Sequence, residues 1–521
     1  MESGQEYRTR KVESVTGLAG SSVSHINLLS SVALSSIALY YALRSRFPSS
    51  PTTGLIASWL LLVFPLLLSM TFFANRPGTL FLLFGVPAGL ILTLPKKERG
   101  APLLSPTSSR ALETPKPSIP QLNCVTTYRA HMLLMTMLAI LAVDFSIFPR
   151  SLAKCETFGF SLMDLGVGSF VFAQGLVSAI PLIKNPLHLT SPFLPKVSSI
   201  IRKTMPIIAL GLIRVILVKG TDYPEHETEY GVHWNFFITL ALLPVMEVVL
   251  HPLMVYCSVT FIGITVAILH QLALSKLGLE DYVFNASRVS SVVSANKEGI
   301  VSLAGYFAIH LLGLTTGTLI LPPSPSYFRR IHRHLQQRRG AHDTSNTVDP
   351  LKKLTSTRQD DKTATELCAY TVVWWILFGS TRLLRFDGGS GASRRLVNIS
   401  YIFWVSAYNT SFILGYMILD ILFFPTPRPS KPKYSKGKPV EYAEIHPVGI
   451  NSEEIPPALF TAINRNGLVL FLLSNLATGV VNLSIPTLDT SDTWAISILS
   501  VYSFGICVVA WVCRNRKLWQ L

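Results

Sequence analysis

Asp144, in LAVDFSIFPR, and Lys154, in SLAKCETFG, stand ten residues apart where one apolar stretch gives way to a loop. A carboxylate can take a proton from a hydroxyl. A nearby ammonium can hold that carboxylate ionised, or neutralise negative charge developing on an attacked carbonyl. In a dry pocket each group shifts the other's ionisation. The plainer reading is a pair that fixes a helix end. Asp164, before LGVGSFVF, reads as a helix N-cap. Gly166 and Gly168 behind it permit close helix packing or close backbone approach to a ligand. The stretch TDYPEHETEYGVHWN is acidic and ends in His233, Trp234 and Asn235. His233 suits a base or a hydroxyl contact, and Trp234 suits a membrane-interface position. Arg214 and Glu247 are charges inside apolar runs, which default to function or to a buried partner. Their depths differ, so each needs a partner other than the other. Lys297 in NKEG and Arg394-Arg395 in SRR suit a phosphate, or cationic ends that snorkel from a span. Asn475 and Asn482 share one helical face, in a segment that also carries Asn464 and Asn466.

The elements that must position these groups follow from composition. Charged residues make up 14% of the 521 residues and apolar residues 49%, against about 25% charged in a soluble domain. That excludes a soluble globule and a disordered chain. It predicts an all-α, polytopic membrane helix bundle of about thirteen transmembrane helices, running from 26–44 to 494–513. The weakest spans are 204–219, which contains Arg214, and 234–274, which is divided at His251-Pro252. With the N-terminus outside, cytosolic segments hold 30 Lys and Arg and the opposite side 14, Arg214 lying within a span. The split follows the positive-inside rule and accounts for the net charge of +16 without nucleic acid. Residues 1–25 read as a luminal tail. Residues 26–521 read as one transmembrane domain with mobile cytosolic loops at 96–120, 321–367 and 425–458, whose basic residues suit anionic lipid headgroups. Asn285-Ala-Ser is a glycosylation acceptor in an outside loop. None of the six cysteines forms a CxxC pair, and no P-loop, dinucleotide fingerprint, GxSxG or HExxH occurs. Metal is not implied. A lipid-modifying enzyme and a transporter fit these residues equally well.

The stretch TYRAHMLLMTMLAILAVDFSIFPRSLAKCETFGFSLMDLGVGSFVFAQG (127–175) closely resembles the GPI-anchored wall transfer protein family, the fungal, PIG-W-like inositol acyltransferases. TEYGVHWNFFITL, SANKEGIVSLAGY, SRRLVNISYIFWVSAYN and INRNGLVLFLLSNLATGVVNLS match further segments in family order. Ser146 stands where a relative has Pro, and Ser151 where it has Arg. The resemblance implies an endoplasmic-reticulum membrane enzyme with a luminal N-terminus and a cytosolic C-terminus. It would transfer a fatty acyl group, usually palmitoyl, from acyl-CoA to the inositol of glucosaminyl-phosphatidylinositol. Acyl-CoA is then a co-substrate, with no tightly bound cofactor. Asp144 and Lys154 fall on the family's suspected catalytic pair.

On that reading Asp144 is the general base, and Lys154 orients it or stabilises the oxyanion. His233, Trp234, Asn235, Arg214, Lys297, Arg394, Arg395, Gly166 and Gly168 are substrate-contact candidates. The donor's acyl chain is expected among spans four to eight, with its nucleotide at the cytosolic face. Direct transfer is expected, and Cys155 as an acyl carrier is the lesser route. The alternatives are a lipid or solute transporter, or a non-catalytic subunit of the same machinery.

Overall fold

The computed structural model describes residues 2–47, 54–95, 121–219, 228–340, 358–424 and 456–519. Its regular elements are helical: α1 (Glu2–Glu13), α2 (Val23–Arg46), α3 (Leu55–Leu62), α4 (Phe64–Met70), α5 (Pro77–Thr93), α6 (Asn123–Ala142) and α7 (Leu162–Lys184). Then come α8 (Phe193–Lys219), α9 (Phe236–Met254), α10 (Val259–Lys276), α11 (Leu279–Asn285), α12 (Val292–Ala295) and α13 (Lys297–Ile320). The chain continues through α14 (Tyr327–Gly340), α15 (Asp360–Leu383), α16 (Ile399–Phe423), α17 (Ala458–Arg465), α18 (Gly467–Ser484) and α19 (Asp492–Val512).

Nine helices among the described residues, not about thirteen, are long and apolar enough to cross a membrane: α2, α6, α7, α9, α10, α13, α16, α18 and α19. The other expected spans fall short for local reasons. The 54–73 run is broken at Val63, with Pro65 in the first turn of α4. α5 has 17 residues with Pro87 inside. α8 starts well before residue 204 and takes in Lys196, Arg202 and Lys203. α15 takes in Asp360, Asp361, Lys362 and Glu366. The chain does divide within 234–274, at residues 255–258, and Pro252 stays inside α9.

α7 and α13 form the centre, and glycines set their separation. A Cβ at Gly175 would lie 1.9 Å from the His310 carbonyl oxygen, and one at Gly313 2.2 Å from that of Phe172. No side chain fits between these backbones, so the two helices touch along their small residues. α16 packs beside them, largely buried, whereas only 17% of the α18 span is buried. α18 is therefore a peripheral helix facing lipid.

Polar loops collect at the two ends. One end gathers residues 2–22, 143–161, 228–235, 277–296, 384–398 and 485–491, tied together by the contacts given below. The other end holds the turn after α9 and α14, joined where His332 Nε2 meets the Met254 carbonyl oxygen at 2.7 Å. Part of the expected 321–367 loop is thus ordered. Tyr327 and Ile331 of α14 are buried, because its basic face leaves an apolar one to pack. Residues 96–120 and most of 425–458 lie outside the described residues. The expected N-terminal tail contains α1, and it takes part in the site.

Candidate functional site

α6 ends at Ala142, and the chain turns back on itself, with the Asp144 N–H donating to the Leu141 carbonyl at 3.1 Å. This places the carboxylate, its side chain 11% exposed, at the end of the bundle. Asn482 Nδ2 donates to Asp144 Oδ2 at 2.8 Å, and Lys11 Nζ lies 3.1 Å from Oδ1. Lys11 also donates to Asn482 Oδ1 at 3.0 Å. Lys11, Asp144 and Asn482 thus close a triangle in which every pair is bonded. α1 is held over it by Arg10, which forks onto both oxygens of Asp489 at 3.0 Å, and by Tyr7 OH, which accepts from the Leu488 N–H. Arg150 braces the turn, donating to the Val143 carbonyl at 2.6 Å. Burial lowers its proton affinity, and the neighbouring Asp144 charge opposes that shift.

The expected Asp144–Lys154 pair does not form. Lys154 donates to both oxygens of Glu229, at 2.7 and 2.9 Å. Arg394 approaches the same carboxylate at 3.8 Å and binds Asp164 through Nε at 2.6 Å. Asp164 Oδ2 accepts from the Cys155 N–H and the Ser161 hydroxyl. A chain of alternating charge therefore runs Lys154, Glu229, Arg394, Asp164 across three loops. Burial would lower the Arg394 proton affinity, but Glu229 and Asp164 outweigh it and raise it well above the ordinary value. Arg394 Nη1 is buried with no hydrogen-bond partner.

Asp164 is not the N-cap of α7. Ser161 is, accepting from the Asp164 N–H at 3.0 Å, because the ion pair with Arg394 occupies the carboxylate. The 150–161 loop is clasped on two sides. Ser21 N–H donates to the Phe160 carbonyl and Gly159 N–H to that of Ala392. Gly159 sits at φ +145°, and a Cβ there would lie 2.1 Å from the Ala19 carbonyl oxygen, so only glycine allows this crossing. Behind Arg394, Val397 holds φ +50°. That costs a β-branched residue about 1–3 kcal/mol, and it is accommodated against Gly305, where a Cβ would strike the Val397 carbonyl.

Several substrate-contact candidates are engaged in structure. Asn235 caps α9, accepting from Phe237 and Ile238 N–H, and donates to the Gly211 carbonyl. Trp234 donates to Thr239 at 2.9 Å and lies over Gly299. Lys297 donates to the Ala286 carbonyl. Arg395 and Arg288 both bind Glu298. Gly168 N–H donates to Tyr401 OH, and a Cβ there would meet Val405 at 2.6 Å; one at Gly166 would lie 3.4 Å from Thr136. These glycines seat α7 on its neighbours. His233 is exposed, with its N–H donating to Asn296. The Arg214 side chain lies outside the described residues. Glu247 finds buried partners, His310 at 2.7 Å and His251 at 3.6 Å. Asn285 ends α11, exposed, and donates to Asp281.

The six cysteines are unpaired. Burial first, and then the Asp164 carboxylate, push the Cys155 thiol far above its ordinary range, so it supplies no thiolate. Among the described residues no group of three or more His, Cys, Asp and Glu converges as a metal ligand set. Sequence reasoning missed Lys11 and Glu229. Glu229 stood in the acidic stretch already singled out, whereas nothing marked one lysine in a polar tail.

A bundle of apolar helices that carries the Lys11–Asp144–Asn482 triangle and the Lys154–Glu229–Arg394–Asp164 chain at one end defines a polytopic membrane protein with a membrane-boundary polar site. The GWT1 family model matches residues 7–513, and the chain belongs to the GPI-anchored wall transfer protein family. The chain is similar to GPI-anchored wall transfer protein 1 of Aspergillus fumigatus, 37% identical over 531 residues and covering 98% of each chain. It is likewise similar to that of Candida albicans, 33% identical over 527 residues and 98% of each chain. The protein of that name in Cryptococcus neoformans var. neoformans is 40% identical over 418 residues, 76% of this chain and 63% of the relative.

Proposed function

We propose that the Asp144 end of the bundle is the active centre of this membrane acyltransferase of GPI-anchor biosynthesis. The enzyme transfers a fatty acyl group from acyl-CoA to the inositol of glucosaminyl-phosphatidylinositol in the endoplasmic reticulum. The Asp144 end faces the lumen, the C-terminus faces the cytosol, and thirteen crossings include the broken α3–α4 pair, α5, α8 and α15. The excess of Lys and Arg at the other end supports this orientation.

The observation that carries the site is the Lys11–Asp144–Asn482 triangle. Asn482 fixes the carboxylate's rotation, and Lys11 occupies an oxygen that an arriving hydroxyl would take over. Asp144 accepts the proton of the inositol hydroxyl as that oxygen attacks the thioester carbonyl. The carbonyl oxygen becomes the oxyanion of a tetrahedral intermediate, which collapses with loss of the CoA thiolate. Lys154, 39% exposed and aimed by Glu229, neutralises the oxyanion. His233 is a further contact on this face. The buried, protonated Cys155 favours direct transfer over an acyl-enzyme.

The test is acyl transfer by purified protein from labelled acyl-CoA to glucosaminyl-phosphatidylinositol. Wild-type protein transfers label, and Asp144→Asn of equal yield does not. Transfer by Asp144→Asn at the wild-type rate would remove Asp144 as the base.

A further inference from the structure

Between α18 and α19 lies an open groove of about 580 Å³, walled by Leu476, Ala477, Val480, Trp494, Ser497 and Val501 among others. Its placement is specific. The lining runs from Leu473 to Val481 on α18 and from Trp494 to Tyr502 on α19. At 1.5 Å per helical residue that is about 12 Å of depth, close to one leaflet's share of a hydrocarbon core about 30 Å thick. α18 ends, and α19 begins, at the Asp144 end of the bundle, so the groove lies in the leaflet on that side. Its upper wall ends at Val481, the residue before Asn482, whose amide donates to Asp144. At the inner end Tyr502 OH donates to the Met137 carbonyl of α6 at 2.9 Å, which ties α19 to the bundle there. Trp494 stands 69% exposed near the start of α19, where an aromatic ring meets the headgroup layer.

We infer that this groove holds the fatty tails of the acceptor glycolipid while its inositol reaches Asp144. This rests on the proposed function. The occupant follows from depth and charge. A diacyl lipid whose headgroup lies at Asp144 hangs its tails into the same leaflet, along the wall that ends at Asn482. The donor's chain also begins at the thioester beside Asp144, but with its nucleotide at the far end acyl-CoA brings no phosphate to this rim, so charge separates the two lipids. The rim also carries Lys11 and Arg150 beside Asp144, which complements the acceptor's phosphodiester.

The groove can be filled without touching the rim. Ala477→Phe and Val480→Phe are purified and assayed with each substrate varied in turn. The expected result is a KM for long-chain acceptor raised about tenfold, as lost apolar contacts of this size produce. KM for acyl-CoA stays at the wild-type value, and an acceptor with dioctanoyl tails shows a smaller rise. A raised KM for acyl-CoA alone would place the donor chain in the groove and overturn the inference. So would unchanged constants for both substrates, which would leave the groove to bulk lipid.

A second measurement needs neither turnover nor a filled groove. Asp144→Asn protein is photolysed with an acceptor analogue carrying a diazirine in one fatty tail. Label on α18 and α19 peptides, reduced by competing unlabelled acceptor, is the expected outcome. Competed label confined to other helices would overturn the inference even if Asp144 is the base. Label on α18 and α19 would stand even if Asp144→Asn retained activity.

Discussion

Lys154 holds both carboxylate oxygens of Glu229, at 2.7 and 2.9 Å, across 75 residues of chain. Glu229 also faces Arg394, so one carboxylate sits between two cations and fixes where the Lys154 ammonium stands. Glu229→Gln keeps the shape and removes the charge. The expected outcome is a kcat reduced by about tenfold or more, less than the roughly 10²–10⁴-fold that loss of a general base brings. Lys154→Ala should lie below Glu229→Gln, and Lys154→Arg between Glu229→Gln and wild type. Steady-state kcat on protein of matched yield checks this. A wild-type kcat in Glu229→Gln would show that Lys154 needs no holding.

Arg394 and Asp164 are a structural pair, with side chains only 4% and 2% exposed. Removing Arg394 leaves the buried Asp164 carboxylate without a cation, at a cost of about 3–5 kcal/mol, whereas removing the Asp164 charge leaves Arg394 with Glu229 at 3.8 Å and costs less. Arg394→Met and Asp164→Asn should each lower the thermal unfolding temperature in detergent. The double variant should lose less than the sum of the two, since they break one interaction. Additive losses would mean that each residue has a separate partner of equal weight.

How far these relationships were legible depends on the range of the interaction. The long spans follow from local hydropathy, and the division of the 234–274 run follows from its length, whereas the proline expected to make the break, Pro252, stays inside α9. Asp144 was legible as a carboxylate ending an apolar run, and Asn482 as a polar residue on a helical face. Their contact was not legible, because 338 residues separate them and only packing closes that distance. Asp164 shows the limit in another form. Its spacing before an apolar run suits a cap, yet Ser161 three residues earlier caps as well, and Arg394 takes the stronger acceptor. The four expected spans that fall short differ by a proline, a short length or charged flanks, each small against a hydropathy average.

The 384–398 loop carries an acid-sensitive anchor. Burial pushes the Asp387 carboxyl up, but hydrogen bonds from Ser400 at 2.7 Å, Arg382 at 2.8 Å and the Gly389 N–H at 3.0 Å outweigh it and hold it below the ordinary value. A depressed carboxylate stabilises the fold above its unfolded pKa of about 3.9, and that stability is lost as pH falls through the folded value. Unfolding temperatures from pH 6 down to pH 3 should therefore fall more steeply for wild type than for Asp387→Asn. Parallel curves would mean that the carboxylate has the same proton affinity folded and unfolded.

Asn285 tests the orientation. It is exposed at the end of α11, on the Asp144 side of the bundle. A luminal Asn285 in an Asn-Ala-Ser triplet should accept a glycan. Wild-type protein should then lose mass on endoglycosidase treatment, and Asn285→Gln should not. Suppose Asn285 is unmodified and a tag beside it is cleaved by protease added outside sealed microsomes. The Asp144 end would then face the cytosol.

Gly168 separates a packing role from an acyl slot. It lies on α7 with its N–H donating to Tyr401 OH of α16. A Cβ there would stand 2.6 Å from Val405 Cγ2 and 2.9 Å from Tyr401 OH, both below any real Cβ contact. Neither neighbour can yield freely: Val405 is β-branched on a buried helix, and Tyr401 OH donates to the Asp164 carbonyl. Gly168→Leu must therefore push α7 away from α16, and overpacking of this kind costs about 1–3 kcal/mol. The displacement falls four residues from Asp164, so the Arg394 contact and the 150–161 loop should loosen with it. Activity should fall by the same factor with short and long acyl-CoA, and the unfolding temperature should fall as well. Gly168→Ala should show the same pattern in milder form. A loss confined to long acyl-CoA, with unchanged unfolding, would instead place the donor chain against this face of α7.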